Sequence, residues 1–168
     1  MDNAGDVDTR LRRVEDTLAI HDLVARYAFA IDDRDFDALR ELYARDAIFG
    51  GSVETAVGRD AVVEYLERQM QRYGPTMHSP HIQTIDWGQD GTASGVVSVH
   101  AEQALNGTLV IVAFRYYDRY RFEEGRWRFV ERRLKFLYAT PAAEWPDIFR
   151  TQLRRRWPGQ PAAPAELP

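Results

Sequence analysis

Residues 27–49 read YAFAIDDRDFDALRELYARDAIF, and this stretch determines how the rest of the chain is arranged. An apolar helical face runs into a cluster of aspartates, a second helix follows at 36–44, and a strand begins directly after it. Asp35 can cap the second helix, because a carboxylate oxygen accepts hydrogen bonds from the unpaired N–H groups of a first turn. We therefore predict that Asp33 and Asp35 are turn and cap residues, whereas Asp32 continues the helical face inward.

Helical periodicity extends from this stretch in both directions. Upstream, apolar residues at three- and four-residue steps predict one helix of about six turns over residues 11–32. The polar residues 1–10 before it are predicted to be a flexible N-terminus. Downstream, a third helix is predicted over residues 58–72, and Gly74-Pro75 ends it.

From Met77 onward the apolar pattern changes to a period of two, which is typical of half-buried strands. Four strands are predicted, at about 77–87, 92–105, 108–122 and 126–138. The hairpin turns between them are Asp90-Gly91, Asn106-Gly107 and Glu124-Gly125. Helices followed by such a meander predict an α+β fold, in which a cone-shaped, curved antiparallel sheet (an α+β barrel) and three N-terminal helices enclose an apolar cavity.

The residues after the last strand carry weaker patterns. Residues 139–157 contain large aromatic side chains, and we expect this segment to pack on the domain or on a neighbouring subunit. Residues 158–168 are rich in proline and alanine, and they are predicted to be a disordered tail. The domain itself is therefore predicted over residues 11–138.

The composition indicates an ordinary soluble globular chain. It has 168 residues, 45% hydrophobic residues and a net charge of −4, so no general attraction to nucleic acid or to an anionic membrane is expected. The absence of cysteine excludes disulfides and thiolate sites. The sequence shows no signal-peptide pattern and no long apolar run, so we expect a cytoplasmic protein with neither nucleic-acid nor membrane partners.

Alternation along the last strand singles out one arginine. Arg132 shares a face with apolar residues such as Leu134, and a lone charge on such a face requires a carboxylate partner or an anionic ligand. A cavity-facing Arg132 is therefore predicted; the alternatives are a bulge that exchanges it with Arg133 and a structural ion pair to a helix carboxylate. The same alternation places Trp127 and Phe129 on the opposite face, which suggests an interface in a homo-oligomer.

Two histidines at the start of the meander, His78 and His81, are candidate bases, because only histidine titrates near neutrality unaided. Three steps along a strand place them on opposite faces unless Pro80 imposes a bulge, so at most one points inward. The next strand carries His100 and Glu102 on one face, and alternation does not decide whether that face is inside. No metal-binding spacing of histidines is present, so no metal is predicted.

Four motifs together resemble the SnoaL-like branch of the nuclear transport factor 2-like superfamily. They are LVARYAFAIDDRDFDALRELYARDAIF at 23–49, GRDAVVEYL at 58–66, MHSPHIQTI at 77–85 and YYDRYRFEEGRWRFVERRLKF at 116–136. The resemblance is nearest to the group that contains scytalone dehydratase, hexachlorocyclohexane dehydrochlorinase and bile-acid dehydratases. It implies the cone-shaped fold, which hosts several classes of enzyme as well as plain binding modules.

The resemblance also implies a catalytic dyad. In that group an aspartate at the end of the first helix and a histidine at the start of the meander act together, and Asp32 and His78 occupy the matching positions. Tyr27 matches a tyrosine five residues before the aspartate, Arg132 matches an arginine on the last strand, and His100 roughly corresponds to a second histidine. These matches imply that His78 removes a carbon-bound proton while Tyr27 and Arg132 stabilise developing negative charge.

The sequence therefore predicts a cofactor-independent lyase that acts by dehydratase-type β-elimination on a hydrophobic ring compound such as a steroid, polyketide or terpenoid. The alternatives are an isomerase or a polyketide-type cyclase with the same dyad, and a non-catalytic small-molecule-binding or accessory subunit. The resemblance suggests a trimer or a dimer. The predicted substrate-binding residues are mostly aromatic: Tyr43, Tyr65, His100, Phe114, Tyr116, Phe136 and Tyr138.

Overall fold

The structure, a computed structural model, describes residues 3–51 and 54–168. Three helices precede the long strands of a six-stranded sheet. The helices are α1 (Asn3–Asp33), α2 (Phe36–Leu42) and α3 (Arg59–Met70). The strands are β1 (Tyr43–Gly50), β2 (Thr55–Val57), β3 (Tyr73–Trp87), β4 (Thr92–Leu105), β5 (Thr108–Glu123) and β6 (Arg126–Pro141).

Helix α1 begins well before the predicted Leu11, so the described part of the predicted flexible N-terminus is helical. Its buried face, which includes Val24 and Ile31, packs against the inner face of the sheet. Asp35 then caps α2 as predicted, because its side chain accepts a 2.9 Å hydrogen bond from the N–H of Ala38. None of the described helices is long and apolar enough to cross a membrane.

The sheet has the strand order β2-β1-β6-β5-β4-β3. Strands β3 to β6 form the predicted antiparallel meander. Asn106-Gly107 and Glu124-Gly125 have positive φ at both residues, as two-residue hairpins of type I′ require, and the longer connection of β3 to β4 also has positive φ at Asp90 and Gly91. Strand β1 pairs with β6 in parallel, so the sheet is mixed rather than wholly antiparallel. Within the described residues β2 and β3 are its two edges, so the sheet is open and not a closed barrel. The predicted α+β fold is confirmed with these two corrections.

Two β-bulges in β6 decide which of its residues face inward. The pairing of β5 with β6 skips Val130 and Leu137, and each extra residue switches the side chains beyond it to the other face. Trp127 and Phe129 are therefore buried in the core against the inner face, and the prediction that they lie on the outer face is wrong. The evidence they gave for an oligomeric interface is lost, and a homo-oligomer stays a prediction.

A 3₁₀ helix, Ala142–Arg150, follows β6 and covers part of the outer face of the sheet. Ile148 is fully buried there against Ala113 and Tyr138. Both faces of the sheet are thus partly covered, the inner face by the α-helices and the outer face by the 3₁₀ helix.

Residues 151–168, here named the C-terminal strap, return along strand β6. Glu166 accepts a 2.8 Å hydrogen bond from the N–H of Phe136 in β6. Leu167 is buried, and backbone hydrogen bonds connect the strap to β6. The prediction of a disordered tail over 158–168 is therefore wrong, because tertiary hydrogen bonds and burial order a segment whose composition alone would not.

Candidate active site

A cavity of about 240 Å³ lies between the inner face of the sheet, helices α1 and α3, and the C-terminal strap. Its wall is mostly apolar and aromatic, as in sites for hydrophobic small molecules. In the described ranges, no three histidine, aspartate or glutamate side chains are grouped closely enough to hold a metal ion. Six of the predicted site residues form part of the wall: Tyr27, Tyr65, His78, Phe114, Tyr116 and Phe136.

His78 and Asp32 form a hydrogen-bonded pair at this wall. Nδ1 of His78 lies 2.6 Å from Oδ1 of Asp32, and the backbone N–H of His78 donates to Oδ2 at 2.7 Å. The two side chains are only 7% and 17% exposed, so water competes weakly for the contact. Alternation along β3 directs His78 inward, whereas His81 is the exposed residue at a bulge.

The carboxylate of Asp32 is held by further hydrogen bonds. Thr76, two residues before His78 on the same face of β3, donates a 2.7 Å hydrogen bond to Oδ1 of Asp32. Arg34 donates to Oγ1 of Thr76 at 2.9 Å and to the backbone carbonyls of Ile31 and Asp32. These contacts fix the orientation of the carboxylate before any ligand binds.

The ionisation of Asp32 determines the tautomer of His78. Partial burial would raise the pKa of Asp32, but the hydrogen bonds and charge of His78, with the hydroxyl of Thr76, outweigh it and place this pKa below its ordinary value. Asp32 is therefore ionised near neutral pH and can only accept hydrogen bonds. Nδ1 of His78 must then carry the proton, which leaves Nε2 as the basic nitrogen of a residue that lines the cavity.

Two tyrosines near His78 supply hydroxyl groups. Tyr27 and Tyr116 line the main cavity, and with His78 they also line a second void of about 10 Å³, roughly the space of one water molecule. Complete burial raises the pKa of both phenols, and the positive charge of Arg132 offsets this only in part. Both hydroxyls are therefore protonated near neutral pH and can donate hydrogen bonds.

Arg132 borders the small void but does not line the main cavity. It is fully buried, and its Nε and Nη2 donate to the two oxygens of Asp118 at 2.8 and 2.7 Å. Its guanidinium carbon lies 4.3, 4.0 and 3.9 Å from the ring centroids of Tyr27, Tyr116 and Phe129. The predicted inward direction is right, but Arg132 is not a lone cation. It forms a structural ion pair, with a carboxylate on β5 rather than on a helix.

Three of the predicted substrate-binding residues lie elsewhere. Tyr43 is fully buried in the core against Tyr27 and does not line the cavity. His100 and Tyr138 lie on the outer side of the sheet, where Nε2 of His100 and the hydroxyl of Tyr138 are 2.5 Å apart. Strand β4 directs its other face inward, and the bulge at Leu137 turns Tyr138 outward. The predicted place of these three residues in the cavity is therefore wrong.

Several residues around the cavity were not predicted from the sequence. Gln103 faces the cavity from β4, and strand alternation had left its face undecided. Asp118 shares the inward face of β5 with Tyr116, so alternation could have identified it. Trp157 and Gln160 line the cavity from the C-terminal strap; no local pattern indicates these contacts, because they depend on the tertiary return of the chain.

Known proteins resemble this chain in sequence and in fold. The family model described as a SnoaL-like domain matches residues 12–133. None of the curated proteins compared matches the chain. Three solved structures illustrate the similarity of fold.

The crystal structure of hexachlorocyclohexane dehydrochlorinase LinA type 2 is 19% identical, with a TM-score of 0.75, over 90% of this chain and 99% of that one. A scytalone dehydratase candidate from Novosphingobium aromaticivorans is 22% identical, with a TM-score of 0.73, over 94% and 96% of the two chains. An ntf2-like protein with a cystatin-like fold from the same species is 28% identical, with a TM-score of 0.68, over 87% and 97%.

Proposed function

The chain belongs to the SnoaL-like domain family, and on that premise we propose that it is a cofactor-independent lyase that acts by β-elimination on a small hydrophobic ring compound. The observation that carries the proposal is the 2.6 Å contact between His78 and Asp32 at the wall of a mostly apolar cavity. A histidine whose tautomer is fixed by a carboxylate is a suitable base for a carbon-bound proton. The similarity of fold to a dehydrochlorinase and to a dehydratase candidate supports this class of reaction.

The reaction begins with proton transfer. Nε2 of His78 removes a proton from a carbon next to an activating group, and Asp32 stabilises the imidazolium that forms. The electron pair of the broken C–H bond becomes the new double bond, while the bond from the neighbouring carbon to the leaving group breaks. A departing hydroxide takes the proton from His78 and leaves as water; a departing halide leaves as the anion, and His78 returns its proton to solvent. Positioned proton transfer accelerates such a step by about 10²–10⁴-fold.

Tyr27 donates the hydrogen bond that the developing negative charge requires, and Tyr116 supports it by donating a hydrogen bond from its own hydroxyl to Tyr27. Both tyrosines line the cavity together with His78, and fixed donors in a site that excludes water contribute strongly to transition-state stabilisation. Arg132 lies over both rings and acts through them as a positioning residue. The proposal therefore gives Tyr27, and not Arg132, the direct contact with substrate.

The size of the cavity limits the substrate. A cavity of about 150 Å³ accommodates benzene, so about 240 Å³ suits a compound of one or two rings and is small for a four-ring steroid. Tyr65, Phe114 and Phe136 provide aromatic surface for such a ring. A larger compound would have to displace the C-terminal strap at Trp157.

The test is a conversion assay with a matched histidine control. One- and two-ring compounds that carry a hydroxyl or a chlorine next to an activated C–H bond are incubated with wild type, His78→Ala and His100→Ala. Mass spectrometry should show loss of water or hydrogen chloride with wild type and His100→Ala, and none with His78→Ala. His100 is the control because it is a histidine of the same sheet that lies outside the cavity.

Other outcomes of this assay would replace the proposal. A product of unchanged mass with the same dependence on His78 would identify an isomerase or a cyclase. Compounds that bind to wild type without any conversion would identify a binding or accessory subunit, and the pair of His78 and Asp32 would then be structural.

A further inference from the structure

Gln103 places a polar side chain in the wall of the cavity. The residue is 7% exposed, and its Oε1 atom is buried without a hydrogen-bond partner in the parts of the chain that the structure describes. A buried acceptor left unpaired costs free energy, and such groups are rare in folded proteins. Other buried polar atoms of the described residues also lack a partner, but Gln103 is the one residue among them that lines this cavity. Its amide oxygen is therefore the one that a ligand in the cavity can satisfy.

The polar side chains on the helix side of the cavity are already engaged. Oε1 of Gln69 accepts a 3.1 Å hydrogen bond from Arg72, and Oε1 of Glu54 accepts one of 2.9 Å from Arg68. Glu54 is also exposed, so water can reach it. Gln103 differs from both, because it is buried and its acceptor oxygen is unpaired.

The register of the sheet fixes the place of Gln103 relative to the dyad. In the antiparallel pair of β3 and β4, His78 lies opposite Ala101 and Thr76 lies opposite Gln103. Gln103 is therefore the diagonal neighbour of His78 on the same inner face, and such neighbours are about 7–8 Å apart. This distance is comparable to the width of one or two fused rings, so one ligand can contact both side chains.

We propose that Gln103 is a specificity-determining residue, and that the ligand of this cavity is a ring compound with a hydroxyl group that donates a hydrogen bond to Oε1 of Gln103. The reacting carbon of this ligand lies at the end nearer His78. The position of the reacting carbon rests on the proposed lyase function. A hydroxyl is favoured over a charged amine, because burying an ammonium group beside a neutral amide is much more costly.

The first test compares two probes of nearly equal shape. Isothermal titration calorimetry measures 2-naphthol and 2-methylnaphthalene against the full chain with His78→Ala, in which no conversion occurs. We expect 2-naphthol to bind about 10-fold more tightly, the effect of one hydrogen bond to an otherwise unpaired group. The apolar effect alone favours the methyl compound, so this order is diagnostic.

The matched variants are Gln103→Leu and Gln69→Leu in the same His78→Ala background. Gln103→Leu should remove or reverse the preference for 2-naphthol, whereas Gln69→Leu should keep it, because Gln69 is already hydrogen-bonded to Arg72. A preference that survives Gln103→Leu, or equal affinities in the parent, overturns the proposal.

The second test needs no ligand. If Oε1 of Gln103 is unpaired in the empty protein, Gln103→Leu removes that cost and should raise the urea concentration at which the protein unfolds. A lower midpoint would show that the protein itself satisfies the amide, and would overturn the proposal. Neither test measures turnover, so the absence of elimination activity and the failure of hydroxyl recognition are observed separately.

Discussion

The ring and the backbone of His78 bind the same carboxylate: Nδ1 lies 2.6 Å from Oδ1 of Asp32, and the backbone N–H donates to Oδ2 at 2.7 Å. One side chain at the end of α1 therefore fixes the tautomer of a residue on β3 and the local path of that strand. The dyad is consequently a property of the packing of α1 on the sheet.

Replacing Asp32 by asparagine should disable the base without emptying the cavity. The ring and the backbone N–H of His78 contact different oxygens of Asp32. An amide has only one acceptor oxygen, so Asp32→Asn turns an NH₂ group toward one of these two donors. We expect turnover of a substrate found in the conversion assay to fall by about 10²–10⁴-fold, with affinity nearly unchanged. Asp35→Asn, which keeps the cap of α2, is the control. An equal loss of affinity would instead assign Asp32 a role in shaping the cavity.

Asp32 should also make stability depend on pH. Its pKa is lowered in the folded protein, so its ionised form stabilises the fold at pH values above the ordinary carboxyl pKa of about 4, and this contribution is lost as the pH falls through the lower folded value. The free energy of unfolding should therefore differ most between wild type and Asp32→Asn near neutral pH. Urea unfolding at several pH values measures the difference in free energy of unfolding between wild type and Asp32→Asn. A difference that widens below about pH 4 would contradict the lowered pKa of Asp32.

Tyr27→Phe should slow the chemical step by about 10²-fold, the usual effect of removing one donor to a developing anion. The ring and its contact with Arg132 remain, so affinity should change little. Tyr43→Phe is the control, because Tyr43 contacts Tyr27 but lies outside the cavity wall. Single-turnover kinetics separates chemistry from binding; similar rates for Tyr27→Phe and wild type would remove Tyr27 from the mechanism.

Removing only one partner of the buried ion pair between Arg132 and Asp118 should lower the free energy of unfolding, whereas replacing both partners should cost much less. Asp118→Leu leaves a fully buried guanidinium unpaired and should lower the free energy of unfolding by about 3–5 kcal/mol. The double variant with Arg132→Met should recover much of this loss. The exposed pair of Asp46 and Arg121 is the comparison, and Asp46→Asn should cost at most about 1 kcal/mol. Chemical denaturation measures these free energies of unfolding. If the double variant lost the sum of the two single losses, Arg132 and Asp118 would not be coupled.

Trp157→Ala should weaken ligand binding about 10-fold, mainly through faster dissociation. Trp157 lines the cavity and packs edge-on against Phe136, with ring centroids 5.6 Å apart. Trp145→Ala is the control, because Trp145 belongs to the 3₁₀ helix and does not line the cavity. Stopped-flow dissociation of 2-naphthol measures the effect, and equal rates for the two variants would show that the strap does not retain the ligand.

The order of helices and strands was predictable because its signals are local. Helical periodicity, the Asp35 cap and the glycine-containing turns act within a few residues, and they fixed the meander. Strand alternation indicated that at most one of His78 and His81 faces inward, and the family resemblance assigned that position to His78. These features use no information about distant parts of the chain.

The face of the sheet that a side chain occupies could not be predicted for residues beyond a β-bulge. Strand alternation assigned Phe129 to the outer face and Tyr138 to the inner face, and the bulges at Val130 and Leu137 reverse both. A bulge depends on the pairing of two strands, so the sequence of one strand does not reveal it. Asp118, the partner of Arg132, is different, because alternation along β5 already places it on the inward face; only its pairing with Arg132 depends on the register of the two strands.

The C-terminal strap contains three consecutive arginines, 154–156, directly before Trp157. The guanidinium of Arg154 is buried and donates to the carbonyl of Leu167, and the backbone N–H groups of Arg155 and Arg156 donate to Ala163 and Ala139. Trypsin can therefore cleave this triplet only in molecules whose strap has opened locally. A compound that fills the cavity and contacts Trp157 stabilises the closed strap. The rate of tryptic cleavage therefore reports occupancy of the cavity, and it allows compound libraries to be screened before the chemistry of the natural ligand is known.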